Sequence, residues 1–234
     1  MAPCRREIDM KKLKIIPSVL LVCALSFGTG ATLAYFTDSE RATNEMTIGN
    51  IDVTLTEPNF SQDTVTKNPA TQFEEVTKDP IVTNTDNAND AIVFLKVTAP
   101  RDGVQIVADD GSLGTKQTQE MYWFKLASDP ITTHANHFNS NWIELPNKES
   151  DGVYVFGYHT RLKAGESTDA LFDKVQRMRV LEESGKTAND INIQTYAIQA
   201  DNIYDANHAF MDTTKTLTAS QLDYIYSVYV AQNG

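Results

Sequence analysis

Apolar residues in this chain fall mainly into short runs of alternating or β-branched character, separated by Gly, Asn, Asp and Pro, a pattern that predicts strands. AIVFLKVTAP (91–100) is the clearest: Ala91 to Val97 carries one charge and is rich in β-branched and aromatic residues, so it reads as a buried strand stopped by Pro100, with Phe94 in the core. In MTIGNIDVTL (46–55), Ile48 and then Ile51, Val53 and Leu55 suggest a strand with a bulge or turn near Gly49. Further strands are expected at VQIVA (104–108), MYWFKLA (121–127), NWIEL (141–145), GVYVFGYHTRL (152–162) and INIQTYAIQA (191–200), the last placing Tyr196 in the core. The polar stretch 57–80, broken by Pro58, Pro69 and Pro80, reads as a long connection with room for one short strand and with Phe60 and Phe73 as core pins. The pattern changes once, near the C-terminus. Thr218 with Gln221 forms a capping-box spacing, and Leu222, Ile225, Tyr226 and Tyr229 follow at helical intervals, predicting an amphipathic helix over 219–230 that lids the strands. Strands between turn clusters, with one terminal helix, argue for an antiparallel β-sandwich or open barrel.

The N-terminal pattern is of another kind. Lys11, Lys12 and Lys14 precede an apolar run from Ile15 to Phe27, and Thr32 and Ala34 place small residues three and one positions before a cut ahead of Tyr35. Residues 1–34 therefore read as an export signal, with Met10 as a natural start, and 35–234 as one secreted domain. A retained anchor is the competing reading, because about 20 apolar residues span a bilayer, but Gly28, Thr29, Gly30 and Thr32 make the second half small and polar. Membrane contact is thus expected only through the uncleaved signal.

The run GTGATLAYFTDSERATNEMTIGNIDVTL resembles the start of the TasA/camelysin group of Gram-positive exported proteins, whose signals are cut by the signal peptidase SipW. The positions that carry the resemblance are Gly28, Thr29, Gly30, Ala34, Tyr35, Phe36, Asp38, Asn44 and Gly49. DPIVTNTDNANDAIVFLKVTAP, LKAGESTDALFDKV and INIQTYAIQADN add weaker support. The resemblance implies a jelly-roll β-sandwich, SipW as processing partner, an extracellular or cell-surface location and, for the best-known members, assembly into biofilm matrix fibres. It also brings a metallopeptidase label given to some relatives.

Charge narrows the partners. Residues 1–34 hold five of the 20 basic and two of the 31 acidic side chains, which leaves 15 basic and 29 acidic over 35–234, a net charge of −14. Phosphate binding needs a basic surface, so nucleic acid is not an expected partner. Cys4 and Cys23 both lie in the signal, so the secreted domain has no thiol and must rely on its core.

Candidate chemistry is sparse. His134 and His137 are the one close histidine pair, but they stand three apart after Pro130 with no adjacent Glu, unlike the four-residue helical spacing of zinc proteases. Glu74-Glu75 and Glu182-Glu183 are adjacent and point apart, and no nucleophile elbow or phosphate-binding glycine loop occurs. Asp86, Asn87, Asn89 and Asp90, or Asp109 and Asp110 before Gly111, offer oxygen ligands for calcium, though these are also ordinary turn residues. No resident cofactor or metal is expected. The leading expectation is a non-catalytic structural protein that self-associates through its new N-terminus, with Tyr35, Phe36, Met46, Ile48 and Ile51 as an assembly strand. The alternative is a monomeric binding module for glycan or protein, with Trp123, Trp142, Tyr122 or Tyr154 as an aromatic platform. A secreted metallopeptidase is the third reading.

Overall fold

The computed structural model describes residues 47–48 (as backbone), 51–60, 75–146, 150–181 and 191–233, all within the compact unit Tyr35–Gly234. The signal, its cut at Thr32, Ala34 and Tyr35, and the assembly-strand residues Phe36 and Met46 lie outside the described residues, as does Phe73. The described elements are β1 (Thr47–Ile48), β2 (Val53–Thr56), β3 (Glu75–Thr77), β4 (Ile81–Asn84), β5 (Ala91–Thr98), β6 (Arg101–Val104), β7 (Gln117–Glu120), β8 (Tyr122–Lys125), β9 (Trp142–Glu144), β10 (Val153–Tyr158), β11 (Lys174–Arg177), β12 (Asn192–Gln199) and α1 (Ala219–Asn233). The chain is mainly antiparallel β with a C-terminal helix, consistent with the expected sandwich.

A five-stranded sheet of order β1-β12-β5-β10-β9 lies at the centre. It is antiparallel except for β1, which pairs in parallel with Ala197 and Ile198 of β12. One of its faces, carrying Val93, Leu95, Val97 and Phe156, packs with Val76, Phe124 and Val175 of the β3-β11-β8 sheet and with Val82 of the β2-β4 pair. Ile92, Phe94 and Val155 on the other face pack with Leu222, Ile225, Tyr226 and Tyr229 of α1. Successive side chains alternate between faces. Because both faces of β5 are covered, both parities must be apolar, and this is why 91–97 reads as an almost unbroken hydrophobic run.

The helix starts as its spacing predicts: Thr218 N–H donates to Gln221 Oε1 (2.9 Å), and the Gln221 N–H donates to Thr218 Oγ1 (3.3 Å). It runs to Asn233, three residues beyond the expected end. Gly157 lets it sit close to β10, since a Cβ there would stand 2.9 Å from Leu222 Cδ2 and 3.1 Å from Phe94 Cε1. Phe94 is fully enclosed, whereas Tyr196 is half-buried against Tyr226 and Tyr229.

The single strand expected over 46–55 is divided, since β1 joins the five-stranded sheet beside β12 and β2 pairs with β4 in another, and one further expected strand is misplaced. VQIVA (104–108) is not a strand; β6 ends at Val104, and Ile106 and Val107 make isolated bridges to Val180 and Leu113. The chain turns directly afterwards, with the Gly111 N–H on Ala108 O (2.9 Å) and Gly111 at φ +82°. The polar segment Arg101–Val104 instead pairs with the equally polar β7. Backbone hydrogen bonds hold that pair, and hydrophobic patterning is blind to it. The same reason hides β7 and β11, with no apolar residue and one, respectively.

Candidate functional site

Arg101 and Glu120 are register partners in the β6-β7 pair, so their side chains leave the same face side by side. They border a cleft of about 360 Å³ that is also lined by Gln119, Trp123, Asn136 and Tyr154. Arg101 lies across the backbone of Gly152, which has φ +80° and where a Cβ would come within 2.8 Å of Arg101 Cδ. Only glycine permits both the turn and this close approach. From there Arg101 Nη1 donates to Asp151 Oδ2 at 2.9 Å.

Glu120 in turn belongs to a hydrogen-bonded relay. Tyr154 donates its hydroxyl to Glu120 Oε1 (2.5 Å) and accepts from Asn136 Nδ2 (3.2 Å), while Asn136 Oδ1 accepts the Phe124 N–H (3.0 Å). Burial, then the adjacent Glu120 carboxylate, push the Tyr154 hydroxyl far above the usual phenol range, so it remains a donor. Trp123 is half-buried and stacks on His134, with ring centroids 4.5 Å apart and planes 12° from parallel.

His134 and Asn136 belong to the long β8-β9 loop, which is fastened from beneath. Lys125 Nζ donates to Glu75 Oε1 (2.6 Å), Gln176 Oε1 (2.9 Å) and Pro130 O (2.8 Å). Lys174 Nζ reaches Glu75 Oε2 (3.0 Å) and Asp129 O (2.9 Å), and Gln176 Nε2 reaches Ile131 O (3.0 Å). Three consecutive loop carbonyls are thus bound by side chains from the sheet. Phe138 then packs against Phe124 and Phe156, at 5.6 Å and 4.6 Å, which pins the far end.

The aromatic platform expected from sequence is mostly core. Trp142, Tyr122 and Tyr154 are 4%, 2% and 9% exposed, because each packs within a core cluster, and Trp123 alone remains at the surface with usable area. His134 and His137 have separate engagements: His134 stacks on Trp123, and His137 Nδ1 lies 3.0 Å from Asp129 Oδ1. Among the calcium candidates, Asp86 Oδ1 accepts the Ala88 and Asn89 N–H groups (both 2.8 Å), Asp90 pairs with Arg161 (3.0 Å), and Asp110 Oδ1 accepts the Ser112 N–H (2.9 Å). Those backbone bonds hold the Asp86 carboxyl below its usual range, and bonds from Ser112 do the same for Asp110. Both loops use their carboxylates to close turns. Among the described residues, no group of three or more His, Cys, Asp or Glu is placed to hold a metal ion. Among the same residues, no helix is long and apolar enough to cross a membrane.

Ile48 belongs to β1 at the edge of the central sheet, whereas Ile51 is 1% exposed within the core. Ile51 is therefore part of the domain that would receive a strand, and a donated segment would end before it. No protein-family model, curated protein or solved structure matches this chain. Arg101, Glu120 and Asn136 gave no signal in the sequence as a set, since register and the loop fastening bring them together.

Proposed function

We propose that this chain is an exported, non-catalytic protein of the cell surface or extracellular matrix, released by a SipW-type peptidase ahead of Tyr35 and assembled by strand addition. The observation that supports assembly is the state of the β12 edge. β12 spans Asn192–Gln199, and β1 covers only Ala197 and Ile198. Among the described residues, no strand pairs with Asn192–Tyr196 on that side. Such an edge presents backbone donors and acceptors to any extended segment.

A two-residue parallel pairing is cheap to displace. A strand given by a neighbouring copy and keeping the β1 register would bring residues 42–46 alongside Asn192–Tyr196, adding five residue pairs to the two present, a count that follows from Thr47 opposite Ala197. Backbone bonding of this kind gives association without a large apolar patch, which suits a domain of net charge −14 over residues 35–234. Signal removal is then the switch, because the attached signal tethers the segment at the membrane. The resemblance of residues 28–55 to fibre-forming exported proteins points the same way.

The test compares protein beginning at Tyr35 with protein beginning at Gly49 by sedimentation and light scattering. The longer form should grow into oligomers or fibres while the shorter stays folded and monomeric. Identical monomers for both, across a wide range of concentration and pH, would rule out strand addition by this chain alone.

A further inference from the structure

We propose that the Trp123 cleft is a saccharide site, which takes one or two pyranose rings of a neutral or N-acetylated surface glycan. The inference goes beyond assembly by strand addition and does not depend on it. A pyranose presents an apolar C–H face and a rim of hydroxyls, each both donor and acceptor. Its recognition calls for an aromatic surface flanked by fixed polar groups of both kinds. The cleft supplies the half-buried Trp123 indole, the Arg101 guanidinium as a donor fork, Glu120 and Asp151 as acceptors, and the Asn136 amide.

Apart from the exposed Asp151, these groups are held by contacts within the protein. His134 stacks on the indole, Gly152 lets Arg101 lie flat against the backbone, and the Asn136–Tyr154–Glu120 relay fixes its three members. Binding then loses little side-chain entropy, which matters for a small ligand with few atoms to contribute. The cleft of about 360 Å³ is at the lower end of the range for small-ligand sites, roughly 300–1,000 Å³, and suits one or two sugar rings.

Charge selects within the class. Two carboxylates face one guanidinium here, on a domain of net charge −14 over residues 35–234, so an anionic uronate would be repelled and a neutral ring accepted.

The experiment titrates the purified full chain, in mild detergent, by calorimetry with three probes: a β-1,4-linked N-acetylglucosamine tetramer, a β-1,4-linked glucose tetramer and a galacturonate tetramer. At least one neutral probe should bind at one site per chain with Kd on the order of 1 mM or tighter. Trp123→Ala should weaken that binding at least tenfold, and Asp151→Asn about threefold or more, with thermal midpoints preserved. Tyr204→Ala removes an aromatic that is 50% exposed outside the cleft and should leave binding unchanged. If Trp123→Ala fails to fold, Asp151→Asn decides. The proposal is overturned if neither neutral probe saturates by about 10 mM. It is equally overturned if folded cleft variants bind like the parent, if Tyr204→Ala weakens binding as much as they do, or if galacturonate binds most tightly.

Discussion

Lys125 has no exposed side-chain surface, and its Nζ is satisfied by a carboxylate, an amide oxygen and a backbone carbonyl. Burying such a group is tolerable only with this complement of acceptors. Glu75 holds both Lys125 and Lys174, and its carboxyl responds to opposing forces. Burial would raise its pKa, but the hydrogen bonds and charges of the two lysines outweigh burial and hold it below the ordinary 4.5. A depressed folded pKa means that the unfolded chain takes up the proton first as pH falls. The stabilisation is therefore complete above about pH 4.5 and lost as pH drops through the lower folded value. Denaturant midpoints measured from pH 7 to pH 3 should fall in that window. Glu75→Gln should lower the unfolding free energy at pH 7 by about 3 kcal/mol, the low end for breaking a buried pair because Glu75 keeps 22% exposure. It should also make the acid loss shallower, though not flat, since Asp129 is likewise lowered: burial opposes the shift, but bonds from His137 and the Leu126 N–H prevail. An acid profile as steep as that of the parent would show that the network is not the titrating element. None of this was visible along the chain, where Glu75, Lys125, Lys174 and Gln176 look like ordinary surface residues of three separate segments.

At the scale of elements, α1 and β5 were the most legible because their own residues declare them. The helix carries its cap at Thr218 and Gln221 and its apolar stripe, and β5 carries apolar residues at both parities. What they rest on was not legible. The docking of α1 depends on Gly157, an unmarked glycine within a strand, where the helix side chain Leu222 and the ring of Phe94 occupy the space of a Cβ. Gly157→Val should overpack this contact and cost about 1–3 kcal/mol. Hydrogen exchange should then show protection lost first over 222–229, ahead of β5 and β10. Equal protection in mutant and parent would mean that the helix is not seated at this point. The β6-β7 pair shows the reverse case. Its residues suggest a loop, yet Arg101 pairs with Glu120 and Val104 with Gln117, because ladder hydrogen bonds ask little of side chains.

At the scale of the whole molecule, the first event in the proposed sequence is cleavage, and the expectation is that secreted material begins at Tyr35, since Thr32 and Ala34 meet the small-residue rule of signal peptidases. N-terminal sequencing of culture-medium protein checks this, and a start before residue 28, or full-length protein held in membranes, would refute it. The export pattern, the β class, the terminal helix, the acidic surface and the lack of thiols beyond residue 34 all follow from local composition and periodicity. These are properties that neighbouring residues set among themselves, so the sequence alone determined them. Only tertiary structure decided that Trp123 faces a cleft while Trp142 and Tyr122 face the core, that Arg101 meets Asp151 across 50 residues, and that, among the described residues, no strand covers Asn192–Tyr196 on the β1 side of β12. Each of those depends on strand register and on which face a neighbouring layer covers. A shift of one residue in register moves every side chain of a strand to its other face, and no short window of the chain encodes the register or the strand order.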